Sequence, residues 1–163
     1  MDTSLSPIIS NGQADRIDGI VSRSVRSGAK AVIGGGRARQ PQEGAYYEPT
    51  ILTGVTGETE AVREEIFGPV LTVQTFVDLE EGLAAADHPA YGLAAGIFTA
   101  DLNRALTCMR QLQAGTVWIN RYGRTADFIL PTGGYKHSGI GKDLGRQAFE
   151  ANLRSKTVLV DFA

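Results

Sequence analysis

Strands and helices alternate between residues 70 and 120, and this alternation constrains the fold more than any other feature of the sequence. The predicted strands cover residues 70–76, 94–99 and 116–120, and the predicted helices cover residues 78–87 and 101–113. A strand that is followed by one helix and then by another strand requires a crossover connection, which favours a parallel sheet. We therefore predict an α/β fold in which helices flank a parallel sheet.

Further elements are predicted on both sides of this stretch. They are an amphipathic helix over residues 15–25, a strand over 31–33, an extended stretch over 46–55, a last helix over 142–155 and a closing strand over 156–162. We expect the glycines at 34–36 to form a turn, because the spacing of known phosphate-binding glycine motifs is absent. The sequence contains no internal repeat.

Composition excludes several classes of function. The net charge of -2 gives no reason to expect a nucleic-acid partner or a membrane surface, and no apolar run approaches the ~18 residues of a membrane helix. The single cysteine excludes an internal disulfide, and His88 and His137 are too far apart in sequence to suggest a metal site. With no signal-peptide pattern at the N-terminus, the sequence predicts a cytoplasmic protein.

Residues 64–69 read Glu-Glu-Ile-Phe-Gly-Pro and come directly before the strand predicted from Val70. The residue before a proline is biased to an extended conformation, so a preceding helix must end before Gly68. Glu65 and Phe67 are then at an element boundary, where side chains can point into a cleft. The alternative interpretation is a solvated helix end with Phe67 in the core.

The segment EEIFGPVLTV resembles the NAD(P)-dependent aldehyde dehydrogenase superfamily. Further similar segments follow the family's order and cover residues 49–52, 91–95, 114–120 and 133–139. The resemblance covers nearly the whole chain but only the C-terminal part of the family's subunit. It implies part of a catalytic domain over residues 1–155 and a closing oligomerisation strand over 156–163. Residues like 5–10 belong mid-chain in the family, so the resemblance also implies a truncated chain.

The resemblance implies a cofactor-binding role for Glu65 and Phe67. Glu65 would accept hydrogen bonds from both hydroxyls of a ribose of NAD or NADP, and Phe67 would pack near the nicotinamide ring. Glu64 is expected to face solvent or a structural partner. Because the family's dinucleotide-binding sheet is not among these residues, we expect weak or no cofactor binding by this chain alone.

Covalent aldehyde oxidation needs a thiolate nucleophile, donors for an oxyanion and a base that activates water. The only thiol is Cys108, which we predict to be buried and inert in the helix over residues 101–113. The family's catalytic cysteine, base and oxyanion asparagine lie N-terminal to the segments matched here. No catalytic residue is therefore predicted, and the chain alone is expected to be inactive.

A substrate entrance is expected in the loop after Asn120. The family usually has Pro-Phe-Gly-Gly where this chain has Pro-Thr-Gly-Gly, so Thr132 replaces an aromatic residue. Together with Arg121, Arg124 and Asp127, Thr132 suggests a polar or charged aldehyde. The alternative is that these are solvated loop residues.

Two functions remain open from the sequence. The first is a segment of an aldehyde dehydrogenase, whose parent reaction converts an aldehyde to a carboxylic acid with NAD(P)+. The second is a non-catalytic oligomerisation or interaction module derived from that fold. Because the closing strand joins a sheet shared between subunits in the family, both predict a homo-oligomer formed through residues 156–162.

Overall fold

A computed structural model of the protein describes residues 5–38, 44–123 and 128–162. The chain divides into two compact units, unit 1 up to Asp78 and unit 2 from Leu79 onward. Both units combine helices with a pair of parallel strands, so the predicted α/β class is confirmed. The strands form small sheets within the units.

The described residues of unit 1 form two helices and a three-stranded sheet. Its elements are α1 (Asn11–Arg26), β1 (Lys30–Ile33), β2 (Thr50–Thr53), α2 (Glu60–Arg63) and β3 (Val70–Thr72). The sheet has the order β1-β2-β3, with β1 antiparallel and β3 parallel to the central strand β2. The predicted strand over residues 70–76 thus ends earlier than its apolar run, at Thr72.

Helix α1 supplies one face of the core of unit 1. It begins at a serine cap, where the Ser10 hydroxyl accepts a hydrogen bond from the Gln13 amide at 3.1 Å. Ile17, Ile20 and Val21 recur at helical spacing and are buried. They join one hydrophobic cluster with Leu52 of β2, Ala61 of α2, and Val55 and Ile66 of the connecting segments. This cluster fixes the position of α1 against the segment that precedes β3.

In unit 2, the part of the chain that the structure describes forms three helices and two separate strand pairs. Its elements are α3 (Leu79–Ala86), β4 (Tyr91–Gly92), β5 (Ala94–Ile97), α4 (Leu102–Gln111), β6 (Thr116–Ile119), β7 (Tyr135–Lys136) and α5 (Gly145–Ala151). Strands β5 and β6 are parallel and are joined through α4, as the sequence predicts. Strands β4 and β7 pair antiparallel.

A close backbone approach joins two of the motifs in unit 2. A Cβ atom added at Gly115 would lie 1.6 Å from the carbonyl oxygen of Gly133. No side chain fits at this distance, so the position requires glycine. The segments 114–120 and 133–139, which are far apart in sequence, therefore touch through their backbones.

The C-terminal region of unit 2 departs from the prediction. Helix α5 is shorter than the predicted helix over 142–155, and Phe149 and Leu153, two large apolar residues of the predicted range, are exposed. Residues 156–162 form no strand ladder with any described part of the chain. A strand forms only where a neighbouring strand is present to pair with. That residues 156–162 pair with a strand of another subunit stays a prediction.

Candidate functional site

An open cleft in unit 1 brings together the two residues predicted to contact a cofactor. It has a volume of about 380 Å³ and is lined by Ala61, Glu64, Glu65, Ile66, Phe67, Gly68, Val70, Leu71 and Thr72. Ile66 is buried between two exposed neighbours, Glu65 and Phe67. Phe67 is 78% exposed, so the alternative that places it in the core is wrong.

Helix α1 holds the backbone of the cleft segment, residues 64–68. The side-chain amide of Gln13 donates to the carbonyl oxygens of Ile66 at 3.0 Å and Phe67 at 3.4 Å. Arg16 Nη1 donates to the carbonyl oxygens of Glu65 and Ile66, both at 3.1 Å. No role was predicted from the sequence for Gln13 or Arg16. The one sequence feature that could have indicated it is their spacing of three residues, beside the apolar positions of α1.

The backbone of the cleft segment is strained at Phe67. This residue has φ of 54°, in the left-handed region that a bulky side chain rarely adopts. Such a conformation persists only where the surroundings impose it. The next residue, Gly68, leaves no room for a side chain, because an added Cβ would lie 2.5 Å from Ile17 Cδ1. Close packing and side-chain hydrogen bonds from α1 therefore fix the backbone at the C-terminal end of the cleft segment, residues 66–68.

The two adjacent carboxylates have different surroundings. Glu64 Oε2 lies 3.7 Å from Arg16 Nη2, in an ion pair whose side chains are both about half exposed. Among the described residues, the Glu65 carboxylate has no ion-pair or hydrogen-bond partner. Glu65 therefore offers two acceptor oxygens at the cleft, whereas Glu64 has a structural partner.

A second cavity lies within unit 2, at the loop predicted to line a substrate entrance. Its volume is about 440 Å³, and its lining residues include Leu93, Trp118, Tyr122, Leu130 and Thr132. Thr132 is fixed by backbone hydrogen bonds in both directions with Asp143. The rings of Trp118 and Tyr122 meet edge to face, with centroids 5.2 Å apart. The wall is mainly apolar, with Thr116 and Thr132 among its few polar residues.

Arg121, one of the two predicted arginines, does not join Thr132 in lining this cavity. Arg121 is exposed and is absent from the cavity wall, and Arg124 and Asp127 lie outside the described residues. Asn120, at the carboxyl end of β6, accepts from the Thr99 amide at 2.8 Å and donates to the Thr99 carbonyl at 2.9 Å. Its side chain is therefore used to tie the ends of β5 and β6 together.

Comparison with known proteins decides the family. The sequence profile of the Aldehyde dehydrogenase family matches residues 1–158. The chain belongs to the aldehyde dehydrogenase family. It is 41% identical over 157 residues to an aldehyde dehydrogenase of Aspergillus niger, a match that covers 96% of this chain and 31% of that protein. It is 40% identical over 161 residues to the betaine aldehyde dehydrogenase of Brucella anthropi, with 98% of this chain and 33% of that protein covered.

Solved aldehyde dehydrogenase structures share the fold of this chain. A betaine aldehyde dehydrogenase variant from Staphylococcus aureus, solved in complex with NAD+, aligns with a TM-score of 0.89 at 36% identity and covers 95% of this chain and 32% of that one. An aldehyde dehydrogenase variant from Bacillus cereus aligns with a TM-score of 0.86 at 39% identity and covers 91% and 30%. The chain thus spans about a third of the length of these relatives.

The only thiol in the sequence is buried in a helix. Cys108 lies within α4 and is 6% exposed, so its predicted burial is confirmed. Over residues 5–38, 44–123 and 128–162, no three His, Cys, Asp or Glu side chains are grouped as metal ligands. No helix in these ranges has both the length and the apolar character needed to cross a bilayer.

Proposed function

We propose that this chain supplies the nicotinamide-ribose side of the cofactor site of an aldehyde dehydrogenase. The observation that carries the proposal is the shared cleft in which the Glu65 carboxylate and the exposed Phe67 ring stand on either side of buried Ile66. A carboxylate with two available oxygens can accept hydrogen bonds from two neighbouring sugar hydroxyls. An exposed aromatic ring can pack against a flat heterocycle.

The cleft suits one half of a dinucleotide. Its volume of about 380 Å³ is in the range of small-ligand sites, and it is open. When bound, a nicotinamide cofactor accepts the hydride that an aldehyde loses on oxidation to a carboxylic acid. Glu65 would orient the sugar and Phe67 would limit the freedom of the ring, so that these residues position the cofactor and transform nothing themselves. NAD+ is present in the related Staphylococcus aureus structure, which favours a dinucleotide of this class.

Nicotinamide mononucleotide tests this proposal because it contains only the ring, the ribose and one phosphate. Saturation-transfer NMR at millimolar ligand should show contact with the wild-type chain, and the signal should be lost in Glu65→Gln and reduced in Phe67→Ala. Glu58→Gln, an exposed carboxylate elsewhere in unit 1, is the matched control and should bind as the wild type does. Equal signals from Glu65→Gln and Glu58→Gln would contradict the proposed role of Glu65.

We propose further that these 163 residues do not oxidise aldehydes by themselves, because Cys108 is buried and has no route to a carbonyl. Absorbance of the reduced cofactor should stay at background when the chain is mixed with several aldehydes and NAD+ or NADP+. Turnover that survives Cys108→Ala would overturn this account of the chemistry.

Thr132 carries the proposal that the substrate entrance is partly polar. Its side chain is on the wall of the second cavity, where the family usually has phenylalanine. Thr132→Phe, made in an active enzyme that contains this chain, should lower KM for apolar aldehydes more than for cationic ones. An equal change for both substrate types would contradict a specificity role.

A second candidate function is an oligomerising module, and the observation that favours it is the exposed C-terminal segment. Val158, Leu159, Val160 and Phe162 are between 64% and 92% exposed and have no strand neighbour among the described residues. Apolar side chains on an unpaired segment favour strand addition to another chain. Light scattering after size exclusion should show a dimer or larger species at micromolar concentration, and Leu159→Lys should shift it toward the monomer. A monomeric wild type would count against this function.

A further inference from the structure

The left-handed backbone of Phe67 must be imposed by its surroundings. A phenylalanine at φ of 54° is disfavoured, and its ring is too exposed for burial to compensate. The flanking residue Ile66 is anchored in the core, but its side chain fixes only one point of the segment. The direction of the Phe67 ring then depends on what holds the peptide groups around it.

Among the described side chains, Arg16 makes the most polar contacts with the cleft segment. One nitrogen, Nη1, is 3.1 Å from the carbonyl oxygens of both Glu65 and Ile66, and Nη2 is 3.7 Å from a carboxylate oxygen of Glu64. A planar guanidinium can donate to several acceptors at once in a fixed geometry. Arg16 lies next to the fully buried Ile17, so its own backbone is anchored in the core of unit 1.

We propose that Arg16 is a positioning residue that holds Glu65 and Phe67 in the orientation required to contact the nicotinamide-ribose half of the cofactor. This inference rests on the function proposed above and deepens it. Arg16 does not touch the cofactor. It acts by fixing the two peptide groups that precede Phe67, and by pairing with Glu64 it directs that carboxylate to α1 and away from the sugar.

A second arginine of α1 provides the contrast. Arg23 binds the carboxylate of Glu60 through two hydrogen bonds of 2.7 and 2.8 Å and links α1 to α2. It makes no hydrogen bond or ion pair with the cleft segment among the described residues. Both arginines are exposed ion-pair partners on the same helix. Arg23→Met therefore controls for the effect of removing an exposed, paired charge from α1.

The experiment compares Arg16→Met, Arg16→Lys and Arg23→Met with the wild type by two readouts. The first is the NMR backbone shifts of Phe67, together with amide exchange of Val70, whose N–H binds the Gly68 carbonyl at 2.8 Å. The second is the dissociation constant of nicotinamide mononucleotide. Arg16→Met should move the Phe67 shifts out of the left-handed range, speed Val70 exchange about tenfold and weaken binding about tenfold. Arg16→Lys should give a smaller change than Arg16→Met, because the ammonium keeps the positive charge and can still donate hydrogen bonds. Some change is still expected, because an ammonium cannot reach both carbonyls in the same geometry.

The outcomes separate this inference from the proposed function. If the wild type binds no mononucleotide, the proposed function fails for this chain, and the Phe67 shifts still decide whether Arg16 positions the segment. If Arg16→Met and Arg23→Met leave Phe67 unchanged and affect binding equally, the positioning role is overturned. If Arg16→Met does not fold, the Arg16→Lys variant decides by the same two readouts.

Discussion

The two units bury apolar side chains to very different extents. In unit 1, Ile17 and Leu52 are 0% exposed at the centre of a continuous cluster. In the described part of unit 2, only Ala105 and Cys108 are both apolar and buried. Large apolar side chains of unit 2 are exposed instead, among them Phe98 at 71%, Ile129 at 82% and Phe149 at 66%.

This difference indicates which unit the chain can stabilise by itself. Burial of apolar surface is the main favourable term in folding, and unit 1 has it. Unit 2 is held by strand pairs and close glycine contacts while presenting apolar side chains to solvent. An exposed apolar surface of this kind is typical of a site where other protein packs. The coverage of the relatives, about a third of their length, agrees with this interpretation.

The largest effect on stability is expected when a buried side chain is removed from unit 1. Leu52→Ala should lower the free energy of unfolding by about 2–5 kcal/mol, because it leaves a cavity in the cluster around α1. Urea denaturation followed by circular dichroism measures the change. Leu102→Ala in unit 2 is the matched control, since Leu102 is 70% exposed and its loss should cost less than about 0.5 kcal/mol. Similar costs at the two sites would show that the contrast in burial does not govern stability.

The second prediction tests whether unit 2 depends on backbone contacts. Gly115→Ala forces a methyl group against the Gly133 carbonyl, and the backbone must shift at a cost of about 1–3 kcal/mol. Thermal unfolding of unit 2, followed by Trp118 fluorescence, reports the loss. Gly57→Ala is the control, because nothing lies within 4 Å of an added Cβ there. If both alanines are equally tolerated, glycine contacts are not what holds unit 2 together.

A smaller effect is expected at the turn between α3 and β4. His88 Nδ1 accepts hydrogen bonds from the amides of Ala90 at 3.0 Å and Tyr91 at 3.1 Å. His88→Ala leaves two partly buried donors unpaired and should cost about 1–2 kcal/mol in thermal or urea unfolding. His88→Asn should recover most of this, because its side-chain oxygen can accept from the same turn. Equal losses in both variants would mean that the ring packing against Tyr91, not the hydrogen bonds, stabilises the turn.

The sequence predicts those structural elements that are determined by residues close together in the chain. The spacing of Ile17, Ile20 and Val21 predicts α1, although the helix begins earlier, at Asn11, because of the Ser10 cap. The Gly-Pro step at residues 68–69 correctly predicts a boundary that leaves Phe67 exposed at the cleft. The cofactor roles of Glu65 and Phe67 themselves stay a prediction.

Features that depend on distant partners were not predictable from the sequence. The bonds from Gln13 and Arg16 to the cleft segment join residues about fifty positions apart and leave no periodic signal. The predicted extent of the last helix, residues 142–155, was wrong because Phe149 and Leu153 have helical spacing but pack against no core among the described residues. Helical periodicity shows which side chains could be buried, and only tertiary structure supplies the surface that buries them.

The smallest predicted effect concerns the ion pair between Arg23 and Glu60 in unit 1. The guanidinium lowers the pKa of the Glu60 carboxyl below its ordinary value of 4.5, mainly through their hydrogen bonds. Folding therefore favours ionised Glu60, and the resulting stability is present above pH 4.5 and is lost as the pH drops through the lowered pKa. Arg23→Gln should lower the urea midpoint slightly at pH 7, and the decrease should be smaller at acidic pH. Because the pair is exposed, added salt should also reduce the difference in midpoint between the variant and the wild type. Arg63→Gln, which removes the singly bonded pair with Glu58, is the control. A loss for Arg23→Gln that is the same at neutral and acidic pH would assign its effect to packing of the arginine stem on α1 and not to the charge of Glu60.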